Sequence, residues 1–193
     1  MKKEMNDIPI TSDEVSDELE RVRYRNRFWM IVCNTFYILM GVTATAVLVV
    51  VFWLPVLRIY GHSMDKTLNE GDIVLAVKGS EFDTGDVLAF YYNNKVLVKR
   101  VIAVSGDWVE ITTEGEVYVN QTKLEEPYVS ELALGQSNIT YPYQVPDGQI
   151  FVMGDNRISS IDSRNTAIGG ISQEQIVGKI VMRVWPLNQL GNI

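Results

Sequence analysis

The chain has 193 residues, 47% of them hydrophobic, and its 24 acidic and 17 basic side chains give a net charge of −7 at pH 7. This length predicts one folded domain with an appendage. Residues 58–193 hold 17 acids and 11 bases, so no basic face is available for phosphates and nucleic acid is excluded as a partner. One cysteine (Cys33) and one histidine (His62) leave no set of residues for disulfides or a structural zinc site, and we expect no metal or other cofactor.

The chain begins with an acidic segment. Residues 1–20 contain seven acids against two lysines and few large apolar side chains. Such a composition cannot bury enough apolar surface to fold by itself. We therefore predict that residues 1–27 form a tail that is disordered at its start.

A long apolar run follows, with thirty uncharged residues between Arg27 and Arg58. About 20 apolar residues cross the hydrocarbon core of a bilayer, so residues 28–57 are predicted to be a transmembrane anchor. The alternative is a cleavable signal peptide, but the apolar core of such peptides has about 7–15 residues and lies nearer to the N-terminus.

Charges beside this run predict its orientation. Four arginines precede it at positions 21, 23, 25 and 27, whereas Arg58 is alone close to the other end. Because positively charged flanks stay in the cytoplasm, the N-terminus is predicted to be cytoplasmic and residues 58–193 extracytoplasmic. The lipid bilayer is then a permanent partner of the chain.

Beyond residue 58 the pattern changes to short β-rich runs broken by turn residues. The runs are DIVLAVK (72–78), DVLAFYY (86–92), KVLVKRVIAV (95–104), WVEIT (108–112), EVYVN (116–120), QIFVMG (149–154) and GKIVMRVWPL (178–187). They predict a mainly β fold, a compact antiparallel domain, with one helical turn near residues 172–177. Residues 120–147 have few strand signals and are predicted to be an excursion or lobe.

Two side chains in this domain suggest nucleophilic chemistry. Ser63 lies in GHSMDKTL, five residues after Arg58, and Lys99 lies in the apolar run 96–104. A serine hydroxyl needs a base to become a good nucleophile, and a lysine in apolar surroundings has a lowered pKa that suits this task. Strand alternation puts Lys99 on the face of Leu97 and Val101, with Arg100 on the other face. The alternatives remain a turn serine and a strand-end lysine that reaches water.

A third polar cluster, MGDNRISSIDSR, occupies residues 153–164 after an apolar run. It is either a solvated turn or a support for the site, in which Asp162 pairs with an arginine and Ser160 lies near the lysine amine. His62 is adjacent to Ser63 in the chain, and neighbouring side chains of an extended segment point to opposite faces. A Ser–His–Asp arrangement is therefore not expected.

Together these segments resemble bacterial type I signal peptidases, in the single-span form of Gram-positive bacteria. Gly61, Ser63, Met64, Thr67 and Leu68 match the serine box of the family. Residues 72–78 resemble its next box, residues 99–102 with 106–107 resemble its lysine box, and the last box matches at residues 154–157, 160 and 162–164. The resemblance covers residues 28–185.

The resemblance implies the fold and the roles of these residues. Ser63 would be the nucleophile, Lys99 the general base and Ser160 the group that orients its amine. Asp162 and Arg164, with Arg100 as a further candidate, would hold the last box in place. The backbone N–H of Ser63 would serve the oxyanion hole. Some relatives have a serine at the position of Gly61 whose hydroxyl adds a second donor, so the second donor of this chain stays open.

The implied activity is that of a membrane-anchored serine endopeptidase that removes signal peptides from secreted preproteins after small residues of the Ala-x-Ala type. Preprotein signal peptides would be its substrates, and the secretion translocon is a candidate partner. Lys66 replaces a usual proline, Ala103 a usual glycine and Ser105 a usual proline. These departures keep an alternative open, in which the chain is a catalytically idle binding module of the same fold at the secretion machinery.

Overall fold

The computed structural model describes residues 12–79 and 81–193. The described residues divide into two compact units, with the division between Val49 and Val50. Among the described residues there are one α-helix and twelve β-strands. The predicted mainly β fold is thereby confirmed: antiparallel sheets follow a single apolar helix.

The helix, α1, spans Ser12–Trp53. By length and composition it is the one described helix that is apolar enough to cross a membrane. It begins at Ser12, within the predicted tail of residues 1–27. Acidic residues suit the N-terminal turns of a helix, where they oppose its dipole. The prediction of disorder for residues 1–11 lies outside the described residues.

The end of α1 lies before residue 57, where the predicted anchor ends. The helix ends at Trp53, and Pro55 follows two residues later. Proline has no backbone N–H and disfavours helical backbone in the residue before it, so the helix cannot continue. Val56 and Leu57 instead pair with Leu75 and Val74 as part of the first strand.

The β-strands account for all the runs predicted from the sequence. Their bounds are β1 Val56–Arg58, β2 Ile73–Val77, β3 Val87–Tyr92, β4 Lys95–Ala103, β5 Trp108–Ile111, β6 Val117–Val119, β7 Thr122–Lys123, β8 Tyr143–Gln144, β9 Gln149–Met153, β10 Ile171–Ser172, β11 Ile176–Trp185 and β12 Gly191–Asn192. A short 3-10 turn at Gln173–Gln175 falls where a helical turn was predicted, and a second lies at Leu187–Gln189.

The larger sheet has the order β1-β2-β11-β3-β4-β9-β10, with β12 paired to β11. All its pairs are antiparallel. Two core clusters lie against it, one around Val74, Ala89 and Ile180 and the other around Leu88, Phe90 and Val152. These clusters bury both faces of β3 and hold β4 in the middle of the domain.

The smaller sheet has the order β7-β6-β5-β8. Its core includes Val109 and Val117, and it packs against Ile102 and Phe151 of the larger sheet. The predicted lobe at residues 120–147 therefore begins and ends in short strands of this sheet, while residues 124–142 between β7 and β8 contain no strand.

Candidate active site

Ser63 lies in a tight turn, residues 61–68, which we call the serine turn. The backbone N–H groups of Thr67 and Leu68 donate to the carbonyl of Met64 at 3.1 and 2.8 Å. The Met64 and Leu68 side chains are buried in the core beside β2 and β3 and anchor the turn. Ser63 is only partly buried, so its hydroxyl stays accessible on a turn whose position is fixed.

Lys99 lies near the centre of β4 and is paired with Leu88 of β3. Its side chain is only 3% exposed. Burial lowers the pKa of Lys99 to about 8, since the charged amine loses hydration, while the charge of Asp162 opposes this shift. At pH 7 such a lysine is neutral about 10% of the time, against less than ~0.1% for an exposed one. A neutral amine can accept a proton from a hydroxyl.

Gly154 lies next to both the serine turn and the part of β4 that carries Lys99. Arg100 pairs with Met153 across β4 and β9, and the same register continued by one residue puts Gly154 opposite Lys99. Directly opposed residues of antiparallel strands project to the same face. A Cβ atom added to Gly154 would meet the Ser160 hydroxyl and would lie 2.5 Å from the Ser63 carbonyl oxygen. Ser63 and Ser160 therefore approach Gly154 on the face that carries the Lys99 side chain.

Asp162 and Arg164 form a buried ion pair, with Arg164 Nε 2.8 Å from Asp162 Oδ1. Arg164 also donates to backbone carbonyls of residues 133, 134 and 157. Asp162 accepts a further hydrogen bond from the backbone N–H of Gly154 at 2.9 Å. Burial by itself raises the pKa of Asp162, but the hydrogen bond and charge of Arg164 outweigh it and hold the pKa below its ordinary value. The carboxylate thus stays charged next to the lysine.

Arg100 pairs with Asp155 and not with Asp162. Its guanidinium donates to both carboxylate oxygens of Asp155 at 2.9 and 2.7 Å, and to Thr67 Oγ1 at 3.1 Å. Thr67 in turn donates to Asp155 at 2.5 Å. These contacts join the serine turn, β4 and the start of the last cluster through three side chains.

Sequence reasoning missed a segment of the lobe that contacts all three parts of the site. Glu126 forms an ion pair with Arg157, the Lys66 amine donates to the Pro127 carbonyl at 3.0 Å, and the Tyr128 ring lies 3.9 Å from Arg100 Cζ. Burial raises the pKa of the Tyr128 hydroxyl. Because this segment shows no strand or helix pattern, the sequence carries no signal for these contacts.

The other predicted site residues have distinct surroundings. Gly61 begins the serine turn with φ +79°, a conformation that favours glycine. Within residues 12–79 and 81–193, the backbone N–H of Ser63 donates to no group, which leaves it available to an oxyanion. Ser160 is buried and its hydroxyl forms no hydrogen bond of ordinary geometry to those residues, although it is near enough to Asp162 to lower the pKa of that carboxyl slightly.

His62 is exposed on the serine turn. Its imidazole nitrogens lie 3.2 Å from Asp65 and 3.5 Å from Glu70. Both carboxylates are at the protein surface, so His62 takes part in a surface contact. Among the described residues, no group of three histidine, cysteine, aspartate or glutamate side chains is arranged to hold a metal ion.

A groove of about 720 Å³ begins at the serine turn, where it is lined by Gly61, Ser63 and Met64. Its two walls are β1 and residues 95–98 at the start of β4. In the sheet β1 and β4 are separated by β2, β11 and β3, so the sheet must curve strongly to bring both to one groove. Among the described residues, β1 pairs with β2 and with no other strand, while residues 95–98 pair with β3 and precede the part of β4 that pairs with β9. Each wall therefore presents a strand edge with unused backbone hydrogen-bonding groups.

A serine hydroxyl and a buried lysine of lowered pKa are the two groups that serine–lysine peptidases use. In this domain the segments that carry Ser63 and Lys99 both lie next to Gly154. Residues 32–185 match the protein family described as signal peptidase, peptidase S26. The chain belongs to this family.

Individual relatives agree with this assignment. Signal peptidase IB of Staphylococcus aureus is 40% identical over 151 residues, covering 68% of this chain and 78% of that protein. Signal peptidase I U of Bacillus subtilis is 34% identical over 152 residues, covering 72% and 80%. Thylakoidal processing peptidase 1 of Arabidopsis thaliana is 37% identical over 147 residues, which are 67% of this chain but only 42% of the plant protein.

Proposed function

We propose that this chain is a membrane-anchored serine endopeptidase that removes signal peptides from secreted preproteins, with Ser63 as nucleophile and Lys99 as general base. The observation that carries the proposal is the burial of Lys99, which lowers the pKa of its amine to about 8. The register of β4 and β9, continued by one residue, places Lys99 opposite Gly154. The approach of Ser63 and Ser160 to that same glycine supports the pairing of the two groups.

In the first half of the reaction, neutral Lys99 accepts the proton of the Ser63 hydroxyl while the oxygen attacks the scissile carbonyl carbon. The backbone N–H of Ser63 donates to the oxyanion that develops. The Lys99 ammonium then gives its proton to the departing amine as the peptide bond breaks, which leaves an ester on Ser63.

In the second half, Lys99 takes a proton from a water molecule that attacks the ester carbonyl. The ester bond to Ser63 breaks, the serine oxygen recovers a proton from Lys99 and the signal peptide is released as a carboxylic acid. In the free protein neither the Ser63 nor the Lys99 side chain is hydrogen-bonded to the described residues. Catalytic hydrogen bonds commonly tighten only when substrate is bound.

Substrate residues before the scissile bond fit the groove at the serine turn as an extended strand. The free edges of β1 and residues 95–98 can bond such a strand on both sides, which is binding by strand addition. Apolar side chains such as Leu57 and Leu97 line this groove and would contact the substrate residues before the cut, for which we propose a preference of the Ala-x-Ala type.

The membrane anchor adds to the efficiency of this reaction. Residues 28–53 of α1 would span the bilayer with the N-terminus in the cytoplasm, and the catalytic domain would lie on the outer side, beside the secretion translocon. Two partners held in one membrane meet at a high effective concentration. A modest intrinsic affinity for signal peptides is then sufficient.

The test uses the full chain in detergent micelles and a preprotein with a defined signal peptide. Ser63→Ala and Lys99→Ala should each lower kcat/KM by at least a thousandfold, with circular dichroism unchanged. Glu114→Gln, an exposed turn residue, is the control and should keep full activity. Processing by Ser63→Ala at the rate of the control would overturn the assignment.

The same preparation separates this function from an idle binding module. A fluorophosphonate that labels serine nucleophiles should modify the unaltered protein at Ser63 and leave Lys99→Ala unlabelled, because the hydroxyl is then not activated. If the unaltered protein binds signal peptide but is neither labelled nor able to cut it, the binding module is the correct alternative.

A further inference from the structure

A second cavity is lined by residues of the serine turn that do not line the groove. It has a volume of about 260 Å³ and is lined by residues 65–66 of the turn, residues 155–158 of the last cluster and residues 130–131 of the lobe. The Lys66 amine donates to the Pro127 carbonyl and so links the turn to the lobe beside this cavity. None of its lining residues belongs to β1 or β4.

The position of this cavity relative to Ser63 is given by two contacts. Asp65 follows Ser63 by two residues, and the backbone N–H of Asn156, which lines the cavity, donates to the Ser63 carbonyl at 3.1 Å. The groove that suits residues before the scissile bond ends at Ser63 and Met64. A peptide that fills this groove and is cut at Ser63 therefore continues towards the second cavity.

The charges at the cavity are only partly neutralised by the protein. Arg157 pairs with Glu126, and Asp155 pairs with Arg100, so these four groups cancel. Three charged side chains remain at the cavity, Asp65, Lys66 and Glu131.

The three remaining groups have few partners. Glu131 is exposed, and within residues 12–79 and 81–193 its side chain has no ion pair or hydrogen bond. Asp65 lies 3.2 Å from the His62 imidazole, and the Lys66 amine bonds a neutral carbonyl. The balance at the cavity is thus one negative charge.

We propose that this cavity is the subsite for the first two residues of the mature protein, and that Glu131 and Asp65 make it favour a cationic side chain over an acidic one. The inference rests on the proposed peptidase function and names the substrate class that this side of the site selects. Lys66, which stands where the family usually has proline, opposes the two carboxylates and limits the preference.

The experiment compares two peptides that are identical up to the cut and differ only at the second residue after it, lysine in one and glutamate in the other. The full chain in detergent micelles should cleave the lysine peptide with the higher kcat/KM. The quantity compared is the ratio of kcat/KM for the lysine peptide to kcat/KM for the glutamate peptide. Glu131→Gln or Asp65→Asn should each lower this ratio about threefold, the size of effect expected for one partly exposed charge pair. Lys66→Asn should raise the ratio of the two kcat/KM values, because it removes the opposing positive charge. Asparagine is chosen because it tolerates the left-handed backbone of this position.

Glu125→Gln is the matched control, because it removes one negative charge from an exposed lobe position outside the cavity. It should leave the ratio unchanged. Glu131→Lys should reverse the preference, and raising the ionic strength should reduce every difference.

The inference fails if both peptides are cut but Glu131→Gln and Glu131→Lys keep the original ratio. It fails equally if Glu125→Gln shifts the ratio as much as Glu131→Gln, which would indicate only the overall charge of the domain. If the unaltered protein cuts neither peptide, the proposed function itself is wrong, and the subsite is rejected with it.

Discussion

The backbone carbonyl of Ser63 accepts a hydrogen bond from the backbone N–H of Asn156 at 3.1 Å. This bond ties the serine turn to a segment 93 positions later in the chain, immediately after Gly154. Both groups belong to the backbone, so the link is independent of the side chains at the two positions. The bond fixes the position of Ser63 relative to this segment, and the absence of a side chain at Gly154 leaves room for the serine turn.

The space at Gly154 leads to the first prediction. In Gly154→Ala, the new methyl group would lie 2.5 Å from the Ser63 carbonyl oxygen and would also contact Ser160. The turn must then move, and a displacement of about 1 Å in a catalytic site can cost about a hundredfold in rate. We expect kcat to fall by about that factor. Gly191→Ala, where a methyl group meets open space, should retain full activity; equal kcat values for the two variants would refute the close approach.

The pKa of Lys99 predicts how activity depends on pH. The neutral amine is the active form, and its pKa of about 8 means that its fraction rises tenfold per pH unit below pH 7 and levels off above pH 9. Plots of kcat/KM against pH should follow this curve with a midpoint near pH 8. A rate that is constant from pH 6 to 10 would contradict a lysine base.

Burial of Lys99 should also reduce stability. Its pKa falls from 10.5 to about 8 on folding, so the unfolded chain holds more protons between these values and the free energy of unfolding rises with pH in this range. At pH 7 the cost is about 3 kcal/mol, at 1.36 kcal/mol per pKa unit. Lys99→Met, which keeps the volume without the charge, should therefore raise Tm at pH 7 by several degrees in a thermal unfolding scan. The gain should shrink at pH 10; a variant less stable than the original protein at pH 7 would disprove this account.

The Asp162–Arg164 pair gives a prediction with two readouts. Asp162→Asn leaves the fully buried Arg164 without its counter-charge, which should destabilise the fold by about 3–5 kcal/mol. Because the Asp162 charge raises the pKa of Lys99, its removal should also move the pH–rate midpoint to lower pH. The exposed variant Asp147→Asn should change neither quantity. A loss of Tm with no shift of the midpoint would mean that Asp162 supports the fold but not the electrostatics of the lysine.

The lobe and the turn at Lys66 show where the sequence was insufficient. Lys66 adopts φ +85°, a backbone region closed to the proline that is usual in the family, so a proline at this position would require a different turn. The contacts of Glu126, Pro127 and Tyr128 with the three parts of the site could not be predicted either. They join residues that are between 28 and 61 positions apart, within a segment that lacks any periodic pattern.

The sequence by itself determined the apolar helix, the strands and the candidates Ser63 and Lys99, because hydrophobic period, turn residues and short motifs are local properties of the chain. Only the tertiary structure decided that Arg100 pairs with Asp155, that Gly154 stands opposite Lys99 and that the lobe closes one side of the site. These relationships depend on strand register and on how the sheet curves. Both are set by the packing of distant segments, which no local pattern encodes.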